Sequence, residues 1–381
     1  MNTKIKVAII GVGNCAKSLI QGVDLYKRGK LNTNEGIMRS DIGGYTPKDI
    51  EFVLAFDVDG RKVGKHLHDA IYELPNCAID LVKREDMIPI KIIVQKAPVM
   101  DGVAPHMRTT DINDPERFYI DDTQKEVDII QCLKDTAPDI LINYCPVGSQ
   151  QAVEFYAQCA IEANVAFLNC MPIFIASDPI WEKKFIDAGL PLIGDDMKSQ
   201  FGASIVSQIL QELAFSRGHK VKCHIQENVG GNTDFHNMKD QTRLTTKKIS
   251  KENVIRSQNT IRGIDPKDSF LYAGPSNYIR YYGDNKIANF HLELEGFGGS
   301  PVIFDARMSV QDSPNSAGVV IDAIRYLKVA KELGIVGALR GPSAWTQKSP
   351  PLQMQGEHAQ HECDALANRC LTEITRNQLK K

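Results

Sequence analysis

The stretch from Pro191 to Gln208, PLIGDDMKSQFGASIVSQ, sets two adjacent carboxylates, Asp195 and Asp196, beside Lys198 and Ser199, and follows them with Gly202, Ala203 and Ser204. A short apolar strand ends where the carboxylates begin, and a helix starts at the small residues. Free N–H groups and the positive end of a helix dipole favour an anion at such a turn, and a lysine within it can neutralise a phosphate or a developing oxyanion. An ordinary strand-to-helix turn, with an aspartate as cap and a solvated lysine, has the same local pattern. The surrounding chain has to discriminate.

A second ligand-binding pattern lies at the start. The apolar run Ile5 to Ile10 leads into Gly11-Val12-Gly13-Asn14-Cys15-Ala16 and a helix to about Tyr26, the G-x-G-x-x-A form of the dinucleotide fingerprint. Gly11 permits the tight turn, Gly13 lets the backbone approach a pyrophosphate, and Ala16 lets the helix pack close to the strand. The next strand, Glu51 to Val58, ends near Asp57, the position expected on the adenosine ribose hydroxyls, with a helix N-cap as the competing role. An acidic residue there favours NAD over NADP, although Arg61 and Lys62 stand nearby. The segment Arg28 to Asp49, rich in Gly, Asn and Lys, reads as a surface loop near the cofactor, either a lid or an inert excursion.

These two stretches need a scaffold that brings them together. Periodicity predicts a helix at Arg61 to Leu74, a strand at Ile90 to Gln95, a helix at Val127 to Asp135 and a strand at Ile140 to Tyr144. The turn Cys145 to Ser149 then opens another helix, followed by strand Val165 to Asn169, helix Asp178 to Ala188 and strand Leu192 to Gly194. Such alternation predicts a doubly wound parallel sheet with its ligand at the carboxyl ends of the strands. That rule gathers the Gly11 turn, Asp57, Pro146, Gly148, Ser149, Asn169 and the Asp195 to Ser199 turn on one rim. From about Gly202 the texture changes: Lys220 to Gln226 and Lys286 to Leu294 alternate as half-buried antiparallel strands do. Between them lie Asn228 to Asp234 and the basic run Lys247 to Lys251, which reads as a solvated face or as charge toward a phosphate. Asp312 or Ser313 is expected to cap a long helix to about Leu333, followed by a loop at Ser343 to Pro351 and a polar helical tail from Gly356. His358, His361 and Cys363 in that tail read as surface residues, so no metal site is expected.

Composition narrows the classes. A net charge of −2 over 381 residues gives no electrostatic footprint for nucleic acid or an anionic membrane. No apolar run reaches the length of a membrane span, and the chain enters its first strand with no signal-peptide layout, so a cytoplasmic protein is expected. Nine cysteines without a CxxC pair fit reduced, mostly buried thiols.

Taken together, GVGNCAKSLIQG, FVLAFDVD, PVGSQQAVEFYAQCAIEANVAFLNCMPIFIASDP, GDDMKSQFGAS, NVGGNTDF, KKISK, DSPNSAGVVIDA and QKSPP resemble the inositol-1-phosphate synthases, especially their short bacterial and archaeal branch, from Val7 to about Pro351. The resemblance implies an α/β fold: a Rossmann-type doubly wound sheet from residues 1–200 and 312–381, with an inserted α+β catalytic and tetramerisation domain at 201–311. It implies a homotetramer that converts glucose 6-phosphate to an inositol phosphate through NAD-dependent oxidation at C5, enolisation, aldol closure and re-reduction. Carried over by motif, Lys198 polarises the C5 oxygen, and Lys251 and Lys348 partner the phosphate and the oxyanion. Ser199 and Asn232 join Lys251 at the phosphate; Asp195 and Asp196 lie near the nicotinamide ribose. Asp284, in a turn similar to the family's GDKK, orients a lysine or binds a cation, and Lys286 is a further charge candidate. The eukaryotic motif GDDxKSGQTK is departed from after Ser199, so its second lysine has no equivalent here. The fold alone would equally suit a conventional NAD(P)-dependent dehydrogenase of a sugar phosphate. Lysines spread over separate segments are what phosphate binding and aldol closure add.

Overall fold

The computed structural model describes residues 4–32, 34–243, 245–261 and 269–380. Six of the seven strands of its main sheet come from residues 5–193: β1 (Ile5–Ile10), α1 (Asn14–Lys27), β2 (Ile50–Asp57), α2 (Leu67–Ala70), β3 (Val94–Lys96), a small ribbon of β4 (Arg108–Thr109) and β5 (Phe118–Tyr119), α3 (Ile129–Thr136), β6 (Ile140–Asn143), α4 (Gln150–Glu162), β7 (Ala166–Asn169), α5 (Pro179–Ala188) and β8 (Pro191–Ile193). The chain then builds α6 (Ala203–Ser216), β9 (Lys220–Gly230), α7 (Thr233–Asn237), α8 (Thr245–Ile261), β10 (Phe270–Tyr278), β11 (Asn285–Glu295) and β12 (Pro301–Gln311). It returns through α9 (Asp312–Leu333), β13 (Gly337–Ala338), α10 (Arg340–Thr346), α11 (Gly356–Ala367) and α12 (Glu373–Arg376).

The main sheet is parallel throughout, in the order β13-β8-β7-β6-β1-β2-β3. Its strands are apolar on both faces because both are covered. Val7 and Ile9 pack toward α1, α9 and α11 with Leu19, Ile324 and Leu366. Ala8 and Ile10 pack toward α3, α4 and α5 with Leu133, Tyr156 and Phe185. Strand order reverses between β1 and β6, which places the ligand crevice of this fold at the Gly11 turn. The second sheet runs β10-β9-β11-β12; β10 is parallel to β9, and the other pairs are antiparallel. Phe290 and Leu292 pack under Val206 and Leu210 of α6, whereas Val302, Ile303 and Phe304 of β12 are exposed. Among the described residues no helix is long and apolar enough to cross a membrane.

Four expectations change. Arg61 to Leu74 forms only the single turn of α2, because its backbone donors are used sideways: Gly64 N–H bonds Val94 O and Leu67 N–H bonds Ile92 O. Helix α10 (Arg340–Thr346) takes the first four residues of the expected loop at Ser343 to Pro351, and the remainder is loop. The polar tail is docked, with Cys363 and Leu366 in the main core and His358 and His361 turned outward.

The fourth change concerns Arg28 to Asp49, which is packed onto α9 with Ile37, Ile42 and Tyr45 buried. Gly318 makes room for it, since a side chain there would run into the Gly36 carbonyl. Asp322 and Arg325, fully buried and ion-paired, hold the segment: Asp322 Oδ2 accepts from Met38 N–H at 2.9 Å, and Arg325 Nη1 donates to Ser40 O at 3.2 Å. An Asp322→Ala variant leaves that guanidinium buried without its carboxylate. Urea unfolding is expected to register a loss of about 3–5 kcal/mol; a loss of a few tenths would mean that the pair does not anchor the segment.

Candidate active site

A cavity of about 220 Å³ opens at the carboxyl ends of β1, β2, β6 and β7 and is walled opposite by the start of α6, the inner face of β9 and α7. Gly11, Gly13, Asn14, Cys15, Ala16 and Asp57 line its first end. Gly11 has φ +87°, and a Cβ there would come within 2.8 Å of the Tyr144 carbonyl, so glycine is required on two counts. Gly13 is the N-cap of α1, contributes no side-chain cap, faces open space and has no acidic residue in the turn that follows. Bare N–H groups at the start of a well-formed helix fit a pyrophosphate.

Asp57 is 7% exposed; its Oδ2 accepts from Val12 N–H at 2.6 Å, and its Oδ1 from Val58 and Asp59 N–H at 2.7 and 2.8 Å. It therefore braces the glycine turn from the ribose position. Arg61, the cation that could have drawn a 2′-phosphate, is consumed by a bidentate pair with Asp59 and by the carbonyls of Ile112, Asp114 and Arg117. Lys62 Nζ donates to Val12 O at 2.8 Å and faces the cavity, a role that its place in a polar turn does not reveal. Asn14 turns its Oδ1 to the N–H of Cys77 at 2.9 Å. Burial pushes the Cys15 thiol up to about 12, which keeps it protonated.

Behind the rim stands a polar chain. Asn143 Nδ2 donates to Asn169 Oδ1 at 2.8 Å, and Asn169 Nδ2 donates to Asp195 Oδ1 at 2.7 Å. Asp195 also accepts from Ile175, Ala176 and Ser177 N–H and from Ser177 Oγ, so its carboxylate organises the loop after β7. Burial raises Asp195 to about 6 against those hydrogen bonds. Asn143 was detectable in sequence, since ILIN and AFLN both end apolar strands in asparagine. Pro146 lines the cavity, while Ser149 Oγ donates to Pro146 O at 2.6 Å and Gly148 lies beneath Arg243, whose Nε donates to Val147 O at 3.0 Å.

The opening motif is held by a partner far along the chain. Asp195 and Ser349 exchange backbone hydrogen bonds at 3.0 and 3.1 Å, Lys348 N–H bonds Asp196 O at 2.7 Å, and Lys198 N–H bonds Thr346 O at 2.8 Å. This short ladder brings Lys348 Nζ to Asp196 Oδ1 at 2.7 Å, while Ser250 Oγ of α8 donates to Asp196 Oδ2 at 2.7 Å. Asp196, Ser199 and Lys348 line the cavity, as do Asn232, Lys286 and Asp312. Lys286 is ion-paired with Asp312. Asp284 is buried; its Oδ2 accepts from Ser313 N–H at 2.9 Å and its Oδ1 from Asn232 Nδ2 at 3.2 Å. Asp284, expected to orient a lysine or bind a cation, thus also meets the start of α9, where the side chain of Asp312 or Ser313 was the expected cap. Lys198 lies in the layer behind, its Nζ donating to Ala344 O at 2.8 Å. Lys251 follows Ser250 on α8, and its side chain lies outside the described residues.

This geometry has relatives. The family model Myo-inositol-1-phosphate synthase matches residues 202–313. The inositol-3-phosphate synthase of Mycobacterium tuberculosis is 44% identical over 95% of this chain and 95% of its own length. The chain belongs to the inositol-phosphate synthase family. The inositol-3-phosphate synthase of Corynebacterium glutamicum is likewise 44% identical, over 95% of this chain and 97% of its own. Among solved structures, Ari2 is 30% identical with a TM-score of 0.73, covering 96% of this chain and 99% of its own. A myo-inositol-1-phosphate synthase-related protein from Thermotoga maritima, 23% identical, shares the fold with a TM-score of 0.78 over 96% of this chain and 98% of its own.

Within this synthase fold Lys198 has an ammonium poised to titrate. Burial, and then the neighbouring Lys348 ammonium, lower it from the ordinary lysine range to about 8. Between pH 8 and the unfolded value near 10.4 the unfolded chain binds the extra proton, so this group's contribution to stability rises with pH. Below pH 8 the buried charge costs on the order of 3 kcal/mol. Lys198→Met is therefore expected to be more stable than the parent at pH 7, with the advantage shrinking by pH 10, as read from urea midpoints of both proteins. A pH-independent difference would mean that Lys198 is not titrating there.

Proposed function

We propose that this chain is an NAD-dependent isomerase that converts D-glucose 6-phosphate to 1D-myo-inositol 3-phosphate. The observation that carries this reading is one cavity bordered at one end by a bare, glycine-built helix N-terminus and at the other by Lys286 and Lys348, which come from segments far apart in sequence. Curated relatives of the same length that carry the name inositol-3-phosphate synthase support it.

In this reading Gly11, Gly13, Asn14, Cys15 and Ala16 hold the pyrophosphate of NAD, Asp57 takes the adenosine ribose, and Pro146, Gly148, Ser149, Asn169, Asp195 and Asp196 shape the nicotinamide end. NAD held there would supply a hydride acceptor for C5 of the sugar and the matching donor for its re-reduction. The chain supplies fixed charge. Lys348, oriented by Asp196, faces the oxyanion that develops on enolisation and aldol closure, where a preorganised cation does most. Lys286, oriented by Asp312, supplies a second ammonium to the same cavity. Ser199 and Asn232, with Lys251, take the phosphate. Lys198, with its value near 8, suits proton transfer to or from the C5 oxygen, since a general acid works best when its pKa lies near the operating pH. That role requires Nζ to leave the Ala344 carbonyl when substrate enters. Asp284 fixes the start of α9 and, through Asn232, the phosphate corner.

Residues 1–200 and 312–381 then act as the NAD-binding domain, and 201–311 as the catalytic and tetramerisation domain. The exposed apolar side chains of β12, with Ile303 at 63% exposure and the nearby Phe297 fully exposed, support assembly of a homotetramer through the second sheet. Free cysteines throughout the described chain are in keeping with work in the cytoplasm.

Phosphorus NMR of the protein with glucose 6-phosphate and NAD⁺, with NADH absorbance followed alongside, is expected to show an inositol phosphate resonance and no net NADH. Accumulating NADH with an oxidised sugar would instead identify a dehydrogenase. Lys348→Ala is expected to lower turnover at least about a hundredfold while NAD affinity stays near the parent value.

A further inference from the structure

Alternation along β9 puts polar side chains on its covered face: His224, Gln226 and Asn228 are 0%, 2% and 1% exposed. Ser207 and Gln211, one helical turn apart on α6 and both fully buried, face them. Five hydrogen bonds join the set. Gln211 Nε2 meets His224 Nδ1 at 3.1 Å, His224 Nε2 meets Ser207 Oγ at 3.0 Å, and Ser207 Oγ meets Gln226 Oε1 at 2.8 Å. Gln226 Nε2 meets Asn228 Oδ1 at 3.1 Å, and Asn228 Nδ2 meets the Gly274 carbonyl at 2.8 Å.

The last link sets the sense of all the others. A carbonyl oxygen only accepts, so Asn228 must donate through Nδ2 and accept through Oδ1. Gln226 must then donate through Nε2 and accept through Oε1, and the Ser207 proton must point at Gln226. The remaining lone pair of Ser207 takes a proton from His224 Nε2, which leaves Nδ1 as the acceptor for Gln211. One backbone carbonyl thus dictates two amide orientations, one hydroxyl rotor and one histidine tautomer. Burial lowers His224 to about 4, so the neutral ring persists at ordinary pH.

Gln226 and Asn228 are also part of the cavity wall. We propose that Ser207, His224 and Gln211 are positioning residues that lock the Gln226 and Asn228 amides as orienting contacts for the hydroxyl groups of a polyhydroxylated substrate. A glutamine free to flip would exchange its donor for its acceptor and blur the choice among sugar hydroxyls; here a flip breaks the relay on both sides. The substrate named in this inference rests on the function proposed above.

The test pairs kinetics with a spectroscopic reading of the intact protein. Ser207→Ala and His224→Phe are expected to lower kcat/KM for glucose 6-phosphate by about tenfold to a hundredfold, mostly in kcat, with NAD affinity unchanged. His224→Gln, which keeps a donor toward Ser207, is expected to recover most of the loss. Nitrogen-15 NMR of His224 in the parent protein is expected to show Nε2 protonated and Nδ1 bare between pH 6 and 8. The opposite tautomer would overturn the relay even if no variant folds, and so would parent kinetics in both Ser207→Ala and His224→Phe. A parent chain inert toward glucose 6-phosphate but carrying the expected tautomer would overturn the substrate reading instead.

Discussion

The site depends on a ladder of only a few residues. Asp195 to Lys198 and Thr346 to Ser349 pair backbone to backbone, although about 150 residues of chain separate them. The ladder carries its charges with it: Asp196, at φ +62°, is turned so that its carboxylate receives Lys348 on one oxygen and Ser250 on the other. A buried carboxylate with one partner removed would be costly. Here each oxygen is satisfied from a different element, which ties β8, α8 and the segment after α10 to a single point.

The start of α9 is the second fixed point. Its first N–H groups are met by Asp284 from the β11 turn, its Asp312 pairs with Lys286, and its Ser313 and Ser316 hydroxyls flank Cys15 of the glycine turn. One helix end thus joins the second sheet to the glycine turn. The same helix, through Asp322, Arg325 and Gly318, seats the Arg28 to Asp49 segment on the far side, so a long core helix does the positioning that shorter loops would do less rigidly.

Polar burial follows one rule in three places. Asp57 under the glycine turn, Asn143 and Asn169 behind Asp195, and the β9 relay all replace water with a directed set of hydrogen bonds. Such networks rigidify a site when nearly all their polar atoms find partners, and here Gln211 Oε1, at the far end of the β9 relay, is the exception. That demand also makes them good rulers, because a fixed donor at one end fixes the acceptors along the line.

Much was legible in the sequence where chemistry is local. The Gly11 turn needs its glycines whatever surrounds it, the apolar strands and their helices announce a parallel sheet, and the motifs from Val7 to Pro351 point to one family. The wrong or missing readings share a cause, which is that they depend on partners distant along the chain. Arg61 to Leu74 has helical spacing, yet its N–H groups are claimed by the segment before β3. Arg28 to Asp49 has loop composition and stays a loop at the surface, yet Ile37, Ile42 and Tyr45 anchor it on α9. Asp284, expected to orient a lysine or bind a cation, also meets the first N–H groups of a helix; Lys62, Ser250 and the β9 relay gave little sign of their contacts. By itself the sequence determined the fold class, the family and the identity of the charged groups, because these rest on backbone propensity, periodicity and ordered motifs. Only the tertiary structure decided which charges meet, as Lys348 and Asp196 do, because pairing across the chain is set by packing and by the demand of buried polar atoms for partners.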